Sequence, residues 1–290
     1  MPSTPLAHDR LCDGIADEAR QFVRALETVP LDHPSTTCPG WTAGHLIGHL
    51  HQALGWGALL VETEAPQFVP PTGAAEGAGA GDADWATAVN DLAQGSISQF
   101  AGDGGRDRLS AWLTDEADRF VHALRSGGPH SPVWTTYGPH EAHFWSRWGA
   151  METAVHRADA ELLAGRDFEL AADLSYDAID FWFSALGDPA TIPFYDPKVT
   201  NLRGTGETLL FRVTDAPDDA PSAWLITRTP EGPRPRTDLA AAGHPADVTV
   251  TGSCADLLLL LKRRLPATTP ALTVTGTPAL LTHWLTNALT

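Results

Sequence analysis

Residues 143–156 read HFWSRWGAMETAVH and decide the fold of the first half of the chain. Glu152 and His156 lie four residues apart, so on a helix their side chains lie on one face. A carboxylate and an imidazole held side by side supply two ligands of a common divalent-metal site. The rest of this face is apolar and comprises Trp145, Trp148, Gly149, Ala160 and Leu163. Because unpartnered polar groups out of water are costly, the pair needs a buried partner.

Composition limits the classes of function. The chain has 290 residues, of which 43% are hydrophobic and 19% charged, and this suits one large domain or two ordinary ones. The formal charge of −17 argues against nucleic acid and against an anionic membrane surface as partners. The apolar run Leu257–Leu261 is too short to span a bilayer.

The predicted location is the cytoplasm. Cys12, Cys38 and Cys254 are widely spaced and odd in number, which favours reduced, unpaired thiols in a cytosol. The first residues include Asp9 and Arg10 and hold no apolar core of signal-peptide length, so no export is predicted.

Apolar periodicity predicts four helices in the first half. These are a helix over Leu11–Leu26, a second that begins after the N-cap Thr42 and carries His49, a third in two pieces broken near 102–105, and a fourth from about 140 to 163. Loops are expected at 66–84 and 127–139. Four such helices indicate a four-helix bundle, in whose core facing helices assemble metal sites.

The second half changes to strands with helices outside them. A helix is predicted over 169–186, strands over 208–213, 223–228, 247–251 and 272–275, and helices over 255–265 and 280–289. This arrangement is typical of a small α+β domain. The predicted fold class is therefore α+β, with a helical-bundle domain over 1–168 and an α+β domain over 169–290.

Three residues are candidate metal ligands: His49 on the second helix, with Glu152 and His156 on the fourth. Imidazole nitrogen and carboxylate oxygen suit zinc or another first-row ion, and three protein ligands leave one position open. The other interpretation is a buried Glu152–His156 hydrogen bond with His49 as a core histidine. Spacing alone favours that interpretation.

Two N-terminal motifs carry a resemblance to a known family. Cys38–Thr42 (CPGWT) is followed by Leu46–Leu50 (LIGHL), and Met151–Asp159 (METAVHRAD) comes later. In this order and separation they resemble the mycothiol-dependent maleylpyruvate isomerase family, of the DinB-like metal-binding helical-bundle superfamily. The segments Asp247–Gly252 and Ala255–Leu261 are similar to its C-terminal domain, so the resemblance covers nearly the whole chain.

The resemblance implies a metal enzyme that uses a thiol. It implies a divalent ion, usually zinc, held by His49, Glu152 and His156, and a sterol-carrier-like C-terminal domain. It also implies mycothiol as the source of sulfur and a small-molecule substrate. Family members isomerise a cis double bond through a transient thiol adduct, or transfer the thiol to an electrophile. The same ligands serve both reactions, so they do not choose between them.

The chain departs from the family pattern at His45, where an acidic residue is common. An acid there could complete a capping box with Thr42, and His45 is not expected to do so in the same way. His45 could orient a metal ligand, act on substrate as an acid or base, or be an exposed residue near the end of the bundle. Exposure is the favoured interpretation. If a residue other than the metal ligands acts in catalysis, His45 is the candidate.

Other polar residues have predicted roles in support of the site. Asp159 could accept the second ring N–H of His156, although a surface position is nearly as plausible. Arg157 is expected to form a salt bridge. Arg212 and Arg228 lie on predicted strands, and one of them could bind a carboxylate of the thiol or the substrate.

Two other functions stay open. The first is a metal-dependent hydrolase, lyase or cyclase that needs no thiol, on the same scaffold. The second is a non-catalytic protein that binds a metal or a ligand. The chain is expected to be a monomer or a homodimer.

Overall fold

A computed structural model describes residues 5–74, 91–95, 97, 104–188, 197–237 and 244–288. The chain divides into two compact units, Ala7–Phe168 and Glu169–Thr290 together with Met1–Leu6. The first unit is helical and the second combines helices with one sheet. The predicted α+β class is confirmed. In the described ranges, no helix combines the length and the apolar character needed to cross a membrane.

The first unit is a bundle whose described helices match the prediction. They are α1 (His8–Leu26), α2 (Ala43–Glu62), α3 (Gly105–Gly127) and α4 (Ala142–Leu163). Both α1 and α2 pack against α3 and α4, so α2 and α4 are neighbours. The first piece of the predicted third helix and the predicted loop beyond residue 74 lie largely outside the described residues.

Local sequence explains where these helices begin and end. Thr42 caps α2 with its side chain, which accepts a hydrogen bond from the backbone N–H of His45. Gly104 and Gly128 flank α3 with φ angles of 69° and 77°, a left-handed conformation that glycine adopts without steric cost. These boundaries fix the ends of the helices in the bundle.

Helix α4 approaches α3 closely at Gly149. A Cβ atom at this position would lie 2.6 Å from Cε1 of Phe120 and 3.0 Å from Cδ1 of Ile15. Both of these side chains are fully buried, so neither can move aside. Glycine at 149 therefore allows α4, which carries Glu152 and His156, to pack against its neighbours.

Gly149→Ala is expected to lower the free energy of unfolding by about 2 kcal/mol, because overpacking a dense core forces side chains off their rotamers. Chemical denaturation measures the change. The control is Gly55→Ala on α2, where the new Cβ would meet the Glu116 carboxylate at 3.2 Å, the far end of a flexible side chain with 19% of its area exposed, which can shift. The control should be neutral or gain up to about 1 kcal/mol from helix propensity. Equal effects of the two variants would contradict the packing argument.

The second unit is a five-stranded sheet with helices against it. Its elements are α5 (Ala172–Gly187), a 3-10 helix (Pro197–Leu202), β1 (Thr208–Val213), β2 (Ala223–Thr229), β3 (Gly232–Arg236), β4 (Val248–Gly252), α6 (Cys254–Leu261), β5 (Thr273–Gly276) and α7 (Pro278–Asn287). The strand order is β3-β2-β1-β4-β5. β1 and β4 are parallel, and the other neighbours are antiparallel. The sequence did not predict β3 or the 3-10 helix.

The core of this unit lies between the sheet and its helices. On α5, Phe183 lies 5.3 Å from Phe211 of β1 and 5.9 Å from Trp224 of β2, ring centroid to ring centroid. The indole N–H of Trp224 donates to the Asp180 carboxylate, so the buried ring keeps a polar partner. Phe211 and its alternating neighbours therefore face the helices, whereas Leu210 and Arg212 lie on the other face of the sheet.

Candidate metal centre

Helices α2 and α4 bring the three predicted ligands together. Nε2 of His49 lies 2.9 Å from Oε1 of Glu152, and Nε2 of His156 lies 3.4 Å from the same oxygen. One donor atom from each residue lies within 4.8 Å of the other two. The side chains are largely buried, with 15%, 20% and 8% of the areas of His49, Glu152 and His156 exposed. An imidazole and a Glu–His pair thus converge from neighbouring helices.

The spacing of the donor atoms fits a small divalent ion. At zinc–ligand distances of about 2.0 Å, the ligand atoms of a tetrahedral site lie about 3.3 Å apart. The 3.4 Å separation of His156 and Glu152 agrees with this value, and the 2.9 Å separation of His49 and Glu152 needs to widen by a few tenths of an ångström. The donor set also leaves one coordination position without a protein ligand, as in catalytic rather than structural zinc sites.

Burial and hydrogen bonds shift the pKa values of all three candidate ligands. Burial lowers the pKa of His49, so this imidazole is neutral. Burial alone would raise the pKa of Glu152, but hydrogen bonds from His156 and His49 outweigh it and hold the pKa well below its usual range. Burial alone would lower the pKa of His156, but hydrogen bonds to Asp159 and Glu152 outweigh it and raise the pKa to about 9. At neutral pH the site is therefore an imidazolium–carboxylate pair beside a neutral imidazole.

Asp159 contacts the far side of the His156 ring. Its Oδ2 accepts a hydrogen bond from Nδ1 of His156 at 2.8 Å, and its side chain is fully buried. The buried position excludes the surface role weighed for Asp159. A carboxylate at Nδ1 fixes the ring orientation and leaves Nε2 directed at Glu152 and His49.

Two residues of the turn before α2 also contact the site, and sequence reasoning did not find them. The thiol of Cys38 lies 3.5 Å from Oδ2 of Asp159. The indole of Trp41 is stacked on the His156 ring at 6.2 Å and lies 4.9 Å from the His49 ring, centroid to centroid. No local pattern signals these contacts, because Cys38 and Asp159 are 121 positions apart.

His45 completes the capping box of α2, and the expectation that it would not do so in the way an acidic residue does is wrong. Its Nδ1 accepts from the backbone N–H of Thr42 at 3.2 Å, as a carboxylate would, while the Thr42 side chain accepts from the His45 backbone. Its Nε2 lies 2.9 Å from the side-chain oxygen of Gln94 and donates to it. The ring is half-buried rather than exposed, and both of its nitrogens have protein partners.

The two candidate arginines of the second unit differ in their contacts. Arg228 donates to the backbone carbonyls of Asn201, Leu202 and Arg203 at 3.2, 3.2 and 2.6 Å, so its guanidinium anchors the 3-10 helix. Arg212 is different, because its buried Nε has no hydrogen-bond partner among the described residues. An orphaned buried N–H is costly, and it suits an anionic ligand.

Arg157 forms the predicted salt bridge. Its Nε donates to the Glu18 carboxylate of α1, and only 4% and 6% of the two side chains are exposed. The guanidinium also lies over the Phe168 ring, 4.4 Å from its centroid. Since Arg157 follows His156 in the chain, this buried pair attaches the segment of α4 that carries the candidate ligands to α1.

Comparisons with known proteins agree with this geometry. Residues 12–161 match the family described as the mycothiol maleylpyruvate isomerase N-terminal domain. The chain is similar in structure to a mycothiol-dependent maleylpyruvate isomerase, with 16% sequence identity, a TM-score of 0.56 and 93% of each chain covered. It is also similar to a histidine-to-alanine mutant of that enzyme, with 15% identity, a TM-score of 0.50 and 88% of each chain covered. At these identities the structural likeness shows the fold. No curated protein matches the chain.

Proposed function

The chain belongs to the mycothiol maleylpyruvate isomerase family, and from this premise we propose that it is a metal-dependent enzyme that uses a low-molecular-weight thiol, mycothiol. The proposed reaction is the cis–trans isomerisation of a small maleylpyruvate-like substrate. One observation supports the metal above all: His49, Glu152 and His156 place three donor atoms within 4.8 Å of one another in a largely buried site. The proposed ion is zinc, and the proposed domains are 1–168 and 169–290.

The protein residues prepare the site for a thiol. A divalent ion bound there would stabilise a thiolate and so make the thiol a nucleophile at neutral pH. Glu152 contributes a carboxylate whose low pKa keeps it ionised, and His49 a neutral imidazole. Asp159 holds the His156 ring, and the indole of Trp41 lies beside both imidazoles. The same groups would serve thiol transfer to an electrophile, so they do not distinguish the two reactions. Isomerisation is proposed because the matched family and the structural relative carry that name.

We propose Arg212 as the residue that binds a carboxylate of mycothiol or of the substrate. The observation that supports this role is its buried Nε, for which the described part of the chain offers no hydrogen-bond partner. A guanidinium binds a carboxylate through two parallel hydrogen bonds. Arg228 was predicted as an alternative, but its bonds to three backbone carbonyls favour a structural role. The contacts of His45 likewise favour helix capping over catalysis, and its catalytic role stays a prediction.

Zinc uptake is expected to release about one proton at neutral pH, because the imidazolium of His156 must lose a proton to become a ligand. Since the pKa of His156 is raised to about 9, the apparent affinity should increase with pH and level off above that value. The increase should be about tenfold per unit between about pH 6 and 8. Calorimetry in two buffers of different ionisation enthalpy measures the proton count. An affinity independent of pH over this range would contradict the assignment.

Elemental analysis followed by a turnover assay tests the function. Purified protein should contain about one equivalent of a divalent metal, and mycothiol with maleylpyruvate should give the trans isomer, followed by absorbance. The two rival functions predict other results. Stabilisation by metal but not by mycothiol in a thermal-shift assay would favour a thiol-independent metal enzyme. Binding of both without turnover of any electrophile would favour a non-catalytic binding protein, and absence of metal binding would refute the proposal.

A further inference from the structure

We propose that Cys38 is a positioning residue for the metal centre, acting through Asp159 on the imidazole of His156. The proposal rests on the proposed function, since it takes His156 as a metal ligand. Three groups form a chain in space: the Cys38 thiol lies 3.5 Å from Oδ2 of Asp159, and the same oxygen lies 2.8 Å from Nδ1 of His156. The carboxylate therefore receives hydrogen bonds from a thiol and an imidazole at one oxygen atom.

The turn that carries Cys38 is held at several points. The backbone N–H of Cys38 donates to the Ser35 hydroxyl at 3.1 Å, and the Cys38 carbonyl accepts from the backbone N–H of Trp41 at 3.0 Å. Ser35 in turn donates its N–H to the Trp41 carbonyl at 2.8 Å. Because Trp41 stacks on the His156 ring, the turn contacts His156 both directly through the indole and indirectly through the Cys38–Asp159 hydrogen bond.

The donor and acceptor roles follow from the chemistry of the imidazole. A neutral histidine that binds a metal through Nε2 carries its proton on Nδ1, which must find an acceptor. Asp159 is that acceptor, and its carboxylate is fully buried, so each additional hydrogen bond to it matters. The Cys38 S–H is a weak donor to this buried anion. It restrains the carboxylate and so the ring that the carboxylate orients.

The same three residues also bring a thiol, a carboxylate and a ring nitrogen of His156 within 4.8 Å of one another, and Nδ1 is the nitrogen on the side of Asp159, which could suggest a second ion. An ion there would need Nδ1 as a ligand while Nε2 binds the first ion, and this requires an imidazole stripped of both of its protons. A neutral imidazole with Nδ1–H donated to Asp159 avoids that cost. The geometry therefore points to support of one ion rather than to a pair of ions.

The experiment is a double-mutant cycle read by zinc affinity in chelator competition. Asp159→Asn should weaken zinc binding by about 10–100-fold, in the range seen for partners of metal-ligating histidines. Cys38→Ala should weaken it by a smaller factor, about three- to tenfold. Cys38→Ser should restore most of the affinity, because a hydroxyl also donates to the carboxylate. Cys38→Ala added to Asp159→Asn should cost little more than Asp159→Asn alone, because the thiol acts through that carboxylate.

Two further measurements separate the possible outcomes. The visible spectrum of the Co²⁺-substituted protein should change in Cys38→Ala and return in Cys38→Ser, since it reports ligand geometry. Cys254→Ser, which removes a buried thiol of the second unit, is the matched control and should leave affinity and spectrum unchanged. Wild-type affinity in Cys38→Ala, fully additive losses in the double variant, or two zinc equivalents in the wild type would each overturn the proposal. Absence of zinc in the wild type would instead refute the proposed function itself.

Discussion

Replacing His49 or His156 by alanine is expected to reduce zinc affinity by more than about a hundredfold, because loss of a ligand should exceed the 10–100-fold loss caused by removing a partner of a ligand. Each variant removes one of three protein donors: His49→Ala leaves two donors on α4 alone, and His156→Ala leaves one on α2 and one on α4. Enzyme activity with mycothiol should be lost in parallel. Metal content by elemental analysis and affinity by chelator competition measure the effect.

The two variants differ in their expected effect on folding. His156→Ala leaves the buried Asp159 carboxylate without its imidazole partner, so some loss of stability is expected along with the loss of metal. Among the residues that the structure describes, the hydrogen-bond partner of His49 is Glu152, so His49→Ala tests the ligand role more cleanly. His122→Ala, at an exposed position of α3, is the control for adventitious binding by histidine. Full metal occupancy in the His49 and His156 variants would refute the assigned site.

Arg157→Ala is expected to lower the free energy of unfolding by about 3–5 kcal/mol, the usual cost of removing one partner from a buried ion pair. Glu18 would then be a buried carboxylate without its cation. Burial already raises the pKa of Glu18, and Arg157 counteracts that rise, so the pKa increases further in the variant. The deficit should therefore be smaller at pH 5 than at pH 8, because protonation neutralises the stranded carboxylate.

An exposed ion pair of the same bundle provides the control. Arg125 contacts Asp13 between α3 and α1, with 45% and 59% of the two side chains exposed. Arg125→Ala should change stability by no more than about 0.5 kcal/mol. Glu18→Gln in the Arg157→Ala background should recover part of the loss. Denaturant titrations of the four proteins test these statements, and a deficit for Arg157→Ala no larger than that for Arg125→Ala would contradict them.

Much of the fold was predictable because its signals are local. The apolar stripes of the bundle helices and the runs of apolar and β-branched residues in β1, β2 and β4 can be recognised from the residues of one element alone. Glu152 and His156 share a face for the same reason. His49 is different, because its place in an apolar stripe is equally compatible with a core histidine, and only the resemblance to a family separated the two interpretations.

The contacts that sequence reasoning missed depend on the chain folding back on itself. Cys38 and Trp41 reach the site only because the turn before α2 packs beside α4, far away in the sequence. His45 departs from the acidic residue of the family, yet its Nδ1 supplies the acceptor that the helix cap needs. A ring nitrogen can replace a carboxylate oxygen as acceptor only in one ring orientation, and the sequence does not give that orientation.

β3, the strand that sequence patterning overlooked, bears on how the sheet avoids polymerising. It lies at one edge and contains Pro233 and Pro235, which share one side of the strand. Because β3 is hydrogen-bonded to β2, the two proline nitrogens must point away from β2, toward the open edge of the sheet. Proline has no N–H, so these two positions offer no hydrogen-bond donor to an approaching chain. Arg234 and Arg236 add positive charge to the same border, which discourages stacking of like edges. The prolines and arginines that made β3 hard to predict from sequence also make this edge a poor template for the addition of further strands.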